Sequence, residues 1–368
     1  MKQPVVIVGA GLAGLSLSIE LARLGVPVIV LEKDQFPRQK VCGEYISRES
    51  ESYLNWLGVE TQSLPHIDTL VLTSMGGRQA RLSLPRGGFG LSRWTMDHRL
   101  AQIAQEKGVD IRFGTTVRAI EGNVVHTLRS GAVQASFVIA AYGRSNRLSG
   151  IRIPTGSGAF VGVKYHVSSA APSDTIEMHV FRGGYCGFSK VEGEKYCLCY
   201  LANAAPLKAL GGNLDDFERM HLFQNPHLKE RFSEVKLLGD RVTTSQFHFS
   251  TYGGVYQDQL LLGDASGFIP PITGNGMSLA LRSGAQLAPI LAEAWLGKRS
   301  RESLYRAQGE YVNLYLRSRI RKGVFLQKLL LRQNVFSDAL LFGALRLIPA
   351  VGRHLAMSAV GDDISAKN

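Results

Sequence analysis

A short apolar run, Val5-Val6-Ile7-Val8, breaks at Gly9-Ala10-Gly11-Leu12-Ala13-Gly14 and passes into an amphipathic stretch. A second apolar run, Val28-Ile29-Val30-Leu31, ends on the acid Glu32. Continuous apolar runs flanking a helical period predict a β-α-β unit over residues 4–34, with a buried parallel sheet. Residues 50–58 read as a short helix closing at Gly58. Residues 68–85 read as a hairpin about Gly76-Gly77, its arms being Thr69-Leu70-Val71-Leu72 and Ala80-Arg81-Leu82-Ser83-Leu84. Met96, Leu100, Ile103 and Ala104 recur at helical spacing, so residues 95–107 form a helix. The strand Asp110-Ile111-Arg112-Phe113 and several short strands lead to Phe137-Val138-Ile139-Ala140. From about residue 155 to 255 the pattern is strand-like, with one helical insert near 213–222. The strand Gln259-Leu260-Leu261-Leu262 enters a second glycine-rich turn and a long helix, and from about 300 onward the chain reads helical.

The first turn has the chemistry of a dinucleotide site. Gly9 permits the tight turn, Gly11 lets the backbone approach a pyrophosphate, and Gly14 lets the helix sit close on the sheet. The helix start at Leu12 and Ala13 offers free N–H groups to phosphates, and Glu32 can accept from an adenosine ribose. In the second turn, Gly263-Asp264 ends a strand where a carboxylate can hold a sugar-like hydroxyl. Pro270 and Pro271 stiffen the loop. Gly274-Asn275-Gly276-Met277 then opens a helix whose bare N–H groups suit the electron-rich edge of a reduced ring cofactor.

Gly263-Asp264-Ala265-Ser266-Gly267 with Pro271-Ile272-Thr273-Gly274-Asn275-Gly276 resembles the second flavin fingerprint of the FAD-dependent aromatic hydroxylases and geranylgeranyl reductases. Phe36-Pro37-Arg38-Gln39-Lys40-Val41-Cys42-Gly43-Glu44 is similar to the stretch that follows the second strand in the reductases. Ser92-Arg93-Trp94-Thr95-Met96-Asp97-His98-Arg99-Leu100 resembles their Arg-x-x-x-Asp-x-x-Leu helix start. The resemblance spans about residues 1–290. It implies a doubly wound α/β FAD-binding domain of the glutathione reductase type, an inserted antiparallel β-sheet substrate domain and a helical C-terminal region. On this basis residues 1–75, 92–154 and 256–295 are assigned to the FAD domain, 76–91 and 155–255 to the substrate domain, and 296–368 to the C-terminal region. Non-covalent FAD is implied, with Lys33, Arg38, Cys42, Gly43, Arg93, Val117, Gly143 and Pro271 joining the glycines, Glu32 and Asp264 around it. The electron donor, NADPH or another reductant, stays open.

Two stretches depart from the family. Ala141-Tyr142-Gly143-Arg144-Ser145 carries Tyr142 where Asp is usual. Tyr185-Cys186-Gly187-Phe188-Ser189-Lys190 keeps only the Tyr of the reductases' Tyr-x-Trp-x-Phe-Pro segment. The Trp-x-Trp-x-Ile-Pro pattern of the flavin halogenases is also missing, which places halogenation low.

The expected catalytic residues are Cys42, Glu44 and Tyr185. Cys42 is either a proton donor or reactive thiol, its pKa lowered by Arg38 and Lys40, or a small residue that simply fits beside the cofactor. Glu44 is a general acid or base, or a loop holder. Tyr185 and Phe188 line a pocket for a hydrophobic substrate or belong to the sheet core. Cys186, Cys197 and Cys199 are read as buried strand residues.

The 368 residues suffice for one large or two medium domains, and at 45% hydrophobic and 20% charged the composition is that of a folded chain. Four cysteines without paired spacing exclude a disulfide or zinc scaffold and point to a reducing cytoplasm. The net charge of +12 concentrates late. Arg317, Arg319, Arg321, Lys322, Lys328, Arg332, Arg346 and Arg353 are opposed only by Asp338 and interleaved with Ile320, Val324, Phe325, Leu329 to Leu331, Phe336, Leu340 to Phe342, Leu345 and Leu347. Such a segment suits an anionic membrane surface, at the inner face, or an acidic partner protein, or is a packed helix pair with a solvated face. No motif for nucleic acid accompanies the charge. The first expected activity is hydroxylation of an aromatic or polyketide- or lipid-like substrate. The alternatives are reduction of prenyl or polyene double bonds and modification of residues on a partner protein.

Overall fold

The computed structural model describes residues 2–144, 148, 160–331, 339, 341–345 and 361–364. Ser145, Arg332, Phe336, Asp338, Leu340, Arg346, Leu347 and Arg353, and the expected domain crossing at 154–155, lie outside the described residues.

The chain runs through β1 (Val5–Val8), α1 (Leu12–Arg23), β2 (Val28–Leu31), β3 (Tyr45–Ser47), α2 (Glu51–Leu57), β4 (His66–Thr73), β5 (Gln79–Gly90) and α3 (Arg93–Glu106). Next come β6 (Asp110–Arg112), β7 (Val117–Glu121), β8 (Val124–Thr127), β9 (Ala132–Gln134) and β10 (Phe137–Ala140). The second half adds β11 (Phe160–Ser168), β12 (Thr175–Phe181), β13 (Gly184–Lys190), β14 (Tyr196–Asn203), α4 (Ala204–Ala209), α5 (Leu214–His221) and α6 (Pro226–Glu234). It closes with β15 (Lys236–Leu237), β16 (Val242–Phe247), β17 (Val255–Tyr256), β18 (Gln259–Leu261), α7 (Gly276–Leu296), α8 (Arg301–Glu310), a π-helical stretch Tyr311–Leu316 and α9 (Arg317–Leu331).

Six strands in the order β17-β18-β10-β1-β2-β6 form the first sheet, parallel apart from β17. Its apolar strands are buried on both faces, as their sequence requires. Helices α1, α3 and α7 cover one face. The α1–α7 crossing is close because Gly284 faces Ser16, where an added Cβ would stand 2.3 Å from the Ser16 Oγ. The small sheet β7-β8-β9 covers the other face. The strand order changes direction on either side of β1, which opens a crevice at the carboxyl ends of β1 and β10.

The second sheet has nine strands, with main order β15-β11-β14-β13-β12-β4-β5-β3 and β16 paired to β11. β4 pairs with β5 and, in parallel, with β12. The division of the chain at residue 75 is therefore corrected: both arms of the hairpin belong to the large sheet, because an arm hydrogen-bonded along its length cannot sit in another layer. β3 joins it through β5. The single helical insert expected near 213–222 is three helices. Asn203, Asn213 and Asn225 cap them, each side chain accepting from N–H groups of the first turn.

Strand alternation gives the large sheet two distinct faces. Val161, Val163, Tyr165, Phe181, Cys186, Phe188, Leu198 and Tyr200 pack outward under α5 and α6. The opposite face carries Gly162, Lys164 and His166 of β11, Cys197, Cys199 and Leu201 of β14, and Tyr185 of β13, paired in register. The C-terminal helical residues pack toward this inner face, with Leu330, Phe342 and Leu345 against Leu72, Ala80 and Val180. The tail 361–364 is strapped to both parts of the molecule. Ile364 is buried and its N–H donates to the Glu49 carbonyl at 2.9 Å, while Arg86 pairs with Asp363 and Arg282 donates to the Asp362 carbonyl.

Candidate functional site

The site begins where β1 meets α1. A Cβ on Gly14 would lie 2.2 Å from the Gly9 carbonyl oxygen, so only glycine allows this closeness. A Cβ on Gly11 would meet nothing nearer than the Lys40 Nζ at 3.8 Å. Gly11 caps α1 without any side-chain acceptor, which leaves its first N–H groups open to a ligand. Glu32 is buried at the end of β2 and accepts from the Ala10 N–H at 2.8 Å and from Arg38 at 3.2 Å. Val117 lies in the core cluster of Val6, Val8 and Leu31. Lys33 is exposed beyond the strand end, and no contact among the described residues turns it toward the crevice.

Cations gather over this turn. Arg93 opens α3 and grips Asp97, one turn along, at 2.7 and 2.8 Å. Lys40 shares the Asp97 Oδ2 with Arg93, at 3.0 Å. Burial pushes the Asp97 carboxyl up, but Arg93 and Lys40 outweigh it and hold the group below its ordinary value. Asp264 goes the other way: burial raises it despite Arg144, Arg93 and Lys40. Arg144 itself stacks on Phe247, 4.1 Å from the ring centre. Arg38, Lys40, Arg93 and Arg144 around an uncapped helix start make an anion site of the kind a diphosphate fills.

The second turn sits on the first. A Cβ on Gly263 would approach that of Ala13 to 2.8 Å, and Leu262 donates to the Ala140 carbonyl. Gly274 has φ 67° and lies beneath the Tyr45 ring. Asn275 then leads into α7 with no side-chain cap, leaving N–H groups of Gly276 and Met277 open as on α1. Gly143, at φ 68°, borders the same crevice after β10.

Glu44 has the least expected partners in the site. It is fully buried with φ 55°, an uncommon backbone conformation for a non-glycine residue. Its Oε1 accepts from Lys164 at 2.7 Å and from the Arg93 N–H at 2.8 Å; its Oε2 accepts from His166 Nε2 at 2.6 Å. Gln39 bridges the two bases, donating to His166 Nδ1 and accepting from Lys164. Burial pushes the Glu44 carboxyl up, but the His166 hydrogen bond and the Lys164 charge hold it below its ordinary value. Of the roles open to Glu44, the geometry favours loop holder: an ionised carboxylate with its oxygens engaged is not poised to exchange a proton.

Three other expectations are corrected. Arg38 and Lys40 do not activate Cys42; they turn to Glu32, Asp34 and Asp97 beside the first turn, and burial pushes the Cys42 thiol up. Phe188 does not line a pocket with Tyr185: an odd spacing on one strand puts it on the outer face, stacked on Tyr196. Cys186 and Cys197 are buried strand residues as expected, but Cys199 is only half-buried. Cys197 and Cys199 both face inward, and the Cys197 Sγ donates to the Cys42 carbonyl at 3.3 Å. Tyr185 does face inward, in a cluster with Leu201, Phe247, Phe268 and Ile272 that abuts the second turn. Tyr142 replaces the usual carboxylate with a phenol that burial pushes up to about 12. Lys40, Asp97, Lys164 and His166 were missing from the sequence-derived set. The Arg93–Asp97 spacing of four residues held a signal for the first pair; nothing local linked Lys164 or His166 to Glu44.

Residues 2–182 match the FAD binding domain family. The cradle fits that group, in its open Gly11 turn, two uncapped helix starts, gathered cations and buried Glu32. Over these residues the chain carries an FAD-binding domain similar to that of the FAD-dependent hydroxylase-like flavoproteins. Conditioned medium factor receptor 1 of Dictyostelium discoideum is 24% identical over 341 residues, covering 83% of this chain and 66% of that protein. The chain thus spans just under two thirds of that relative. The 1H-pyrrole-2-carbonyl-[peptidyl-carrier protein] brominase of Pseudoalteromonas luteoviolacea is 23% identical, covering 79% of this chain and 77% of that protein. The solved flavin-dependent brominase Bmp2 shares the fold with a TM-score of 0.79 at 19% identity, covering 97% of this chain and 94% of that one.

The flavoprotein binds FAD non-covalently. Lys40 is expected to make that binding pH-dependent. Burial brings its ammonium down to about 8 from an ordinary 10.5, against the pull of Asp97. Between those values the unfolded chain holds more protons than the folded one, so the cost of burying Lys40 is relieved as pH rises and the FAD-free protein gains stability. A diphosphate has the opposite preference, for the charged form. The FAD dissociation constant is expected to rise above pH 8, approaching about tenfold per unit. Flavin titration across pH should show this slope in the parent protein, and a flat profile in Lys40→Met.

Proposed function

We propose that this flavoprotein is an O2-using monooxygenase acting on a hydrophobic aromatic or polyketide- or lipid-like substrate. The observation that carries the reading is the inward apolar cluster of Tyr185, Leu201, Phe247, Phe268 and Ile272 against the second turn. An apolar wall beside the cofactor cradle holds a hydrophobic substrate and excludes water. FAD, when bound, would supply electron transfer and oxygen activation. The chain's own residues position it: Arg38, Lys40, Arg93 and Arg144 neutralise the diphosphate, Glu32 accepts from the ribose, and the α7 start offers N–H groups to developing negative charge. Glu44, tied to Lys164 and His166, fixes the Cys42-Gly43 loop that faces the sheet. In the net reaction, substrate, O2 and two reducing equivalents from NADPH or another donor give hydroxylated substrate and water.

The Cys42-Gly43 stretch favours a second reading, reduction of a prenyl or polyene double bond. The weak acidity of the buried Cys42 thiol counts against it as proton source. The brominase likeness makes halide worth including as co-substrate. Purified protein with NADPH and a panel of phenol, pyrrole and polyprenyl compounds tests all three. Products one oxygen heavier, formed only with O2, support the proposal. Products two hydrogens heavier, formed anaerobically, overturn it for the reductase. Products that require both O2 and bromide overturn hydroxylation for halogenation.

A further inference from the structure

The face of α9 turned away from the protein combines two features that rarely share a solvated helix. Phe325 is 66% exposed and Leu329 44% exposed, and Leu314, one turn before the helix, is 77% exposed. Arg317, Arg321, Lys322 and Lys328 are exposed among them, and none of these four makes an ion pair among the described residues. At about 100° per residue, positions 317, 321, 322, 325, 328 and 329 fall within an arc of about 140°. Phe325 lies near its middle and Leu329 toward one edge, with Arg317, Arg321 and Lys328 on one side of the pair and Lys322 on the other. Ile320, Gly323 and Gln327 form the opposite, buried side.

We propose that this face docks on an anionic lipid bilayer. Phe325, Leu329 and Leu314 enter the acyl boundary, while Arg317, Arg321, Lys322 and Lys328 extend to the lipid phosphates. A solvated basic helix has no use for three large apolar side chains in its exposed stripe. An acidic protein would satisfy the charges but leave Phe325 and Leu314 needing an apolar pocket. No helix among the described residues is long and apolar enough to cross a membrane, so the contact is peripheral. The buried side of the helix adds a consequence. A Cβ on Gly323 would meet Pro270 at 3.0 Å and Thr273 at 3.1 Å, and Leu330 and Leu331 reach the apolar cluster around Tyr185. One helix therefore separates the docking face from the second turn. If the proposed function holds, an apolar substrate reaches the sheet directly from the bilayer; the docking itself does not depend on which reaction occurs.

The experiment is co-sedimentation of the FAD-loaded full chain with vesicles of mixed phosphatidylglycerol and phosphatidylcholine, and with pure phosphatidylcholine. Binding to the anionic vesicles alone, released by high salt, is expected. Arg321→Gln with Lys322→Gln should weaken it about fivefold per charge. Phe325→Ser with Leu329→Ser should abolish retention at moderate salt, with flavin content and melting temperature unchanged in both variants. In Phe325→Trp, emission should shift to the blue on anionic vesicles. Equal binding to both vesicle types, binding untouched by these substitutions, or binding to an acidic carrier protein but not to vesicles would overturn the proposal. Turnover of detergent-dispersed substrate, measured separately, reads the proposed reaction and not the docking.

Discussion

Replacing Glu44 by Ala is expected to destabilise the protein by about 3–5 kcal/mol, because it strands a buried cation. Lys164 is 1% exposed and sits 2.7 Å from this carboxylate; without it, Gln39 alone among the described residues remains to accept from the ammonium. Glu44→Gln should be milder but still costly, since it keeps the shape and removes the charge. Pairing it with Lys164→Met should recover much of the loss, as the two sites share one interaction. Equilibrium denaturation of the four proteins measures this. The pH dependence follows from the sign of each shift. Glu44 is held below its ordinary 4.5, so its contribution is present above that value and is lost as pH falls through the lower folded value. For Lys164, burial lowers the ammonium but Glu44 outweighs it and raises the group above 10.5; its contribution is present below that value and is lost as pH rises through the higher folded one. Stability should form a plateau across neutral pH, and in Glu44→Gln the acid limb should flatten.

Gly11→Val and Gly14→Ala should fail in opposite ways. Space around Gly11 is open apart from the tip of Lys40, so the folded FAD-free protein should tolerate a side chain there with little change in melting temperature. The same side chain occupies the volume through which a diphosphate approaches the α1 start. Flavin affinity should fall at least about a hundredfold, some 2.8 kcal/mol. At Gly14 even one carbon collides with the Gly9 backbone, and Ile7 and Ala141 crowd the same spot at 3.2 and 3.3 Å. That variant should lose folded yield before flavin binding can be measured. Equal behaviour in the two variants would mean that Gly11 does not face the cofactor.

The first domain was legible because its signals are local. Val5–Val8, the glycine turn and Val28–Leu31 are contiguous, and their burial matches their apolar character. The second sheet was only partly legible. Its alternation is visible, but β4 pairs with β12 over a hundred residues later, and no short-range pattern states that partner. The glycines and the buried Glu32 of the candidate site stood where their motif put them. The reading of Cys42 as an activated thiol failed because nearby basic residues were assumed to face it, whereas Asp97 and Glu32 claim them. Lys164 and His166 escaped notice because each is one polar residue in a strand, and its meaning depends on a carboxylate 120 residues away. The apolar residues of the C-terminal region divide by helix face: Leu330, Phe342 and Leu345 belong to the core, Phe325 and Leu329 to the outside.

The strand order of the first sheet also governs when the molecule can fold. β1 and β2 are synthesised first, yet β1 needs β10, and β10 needs β18, whose partners to Ile139 and Ala140 are Leu260 and Leu261. The whole large sheet is made in between. Parallel pairing across such distances is slow, and an open parallel edge invites association with other chains. A nascent chain therefore emerges from the ribosome with its nucleotide-binding half unfinished for most of its synthesis. Truncation anywhere before residue 262 leaves the β10 edge bare, so fragments of that half should aggregate when expressed alone, although they contain the complete first glycine turn.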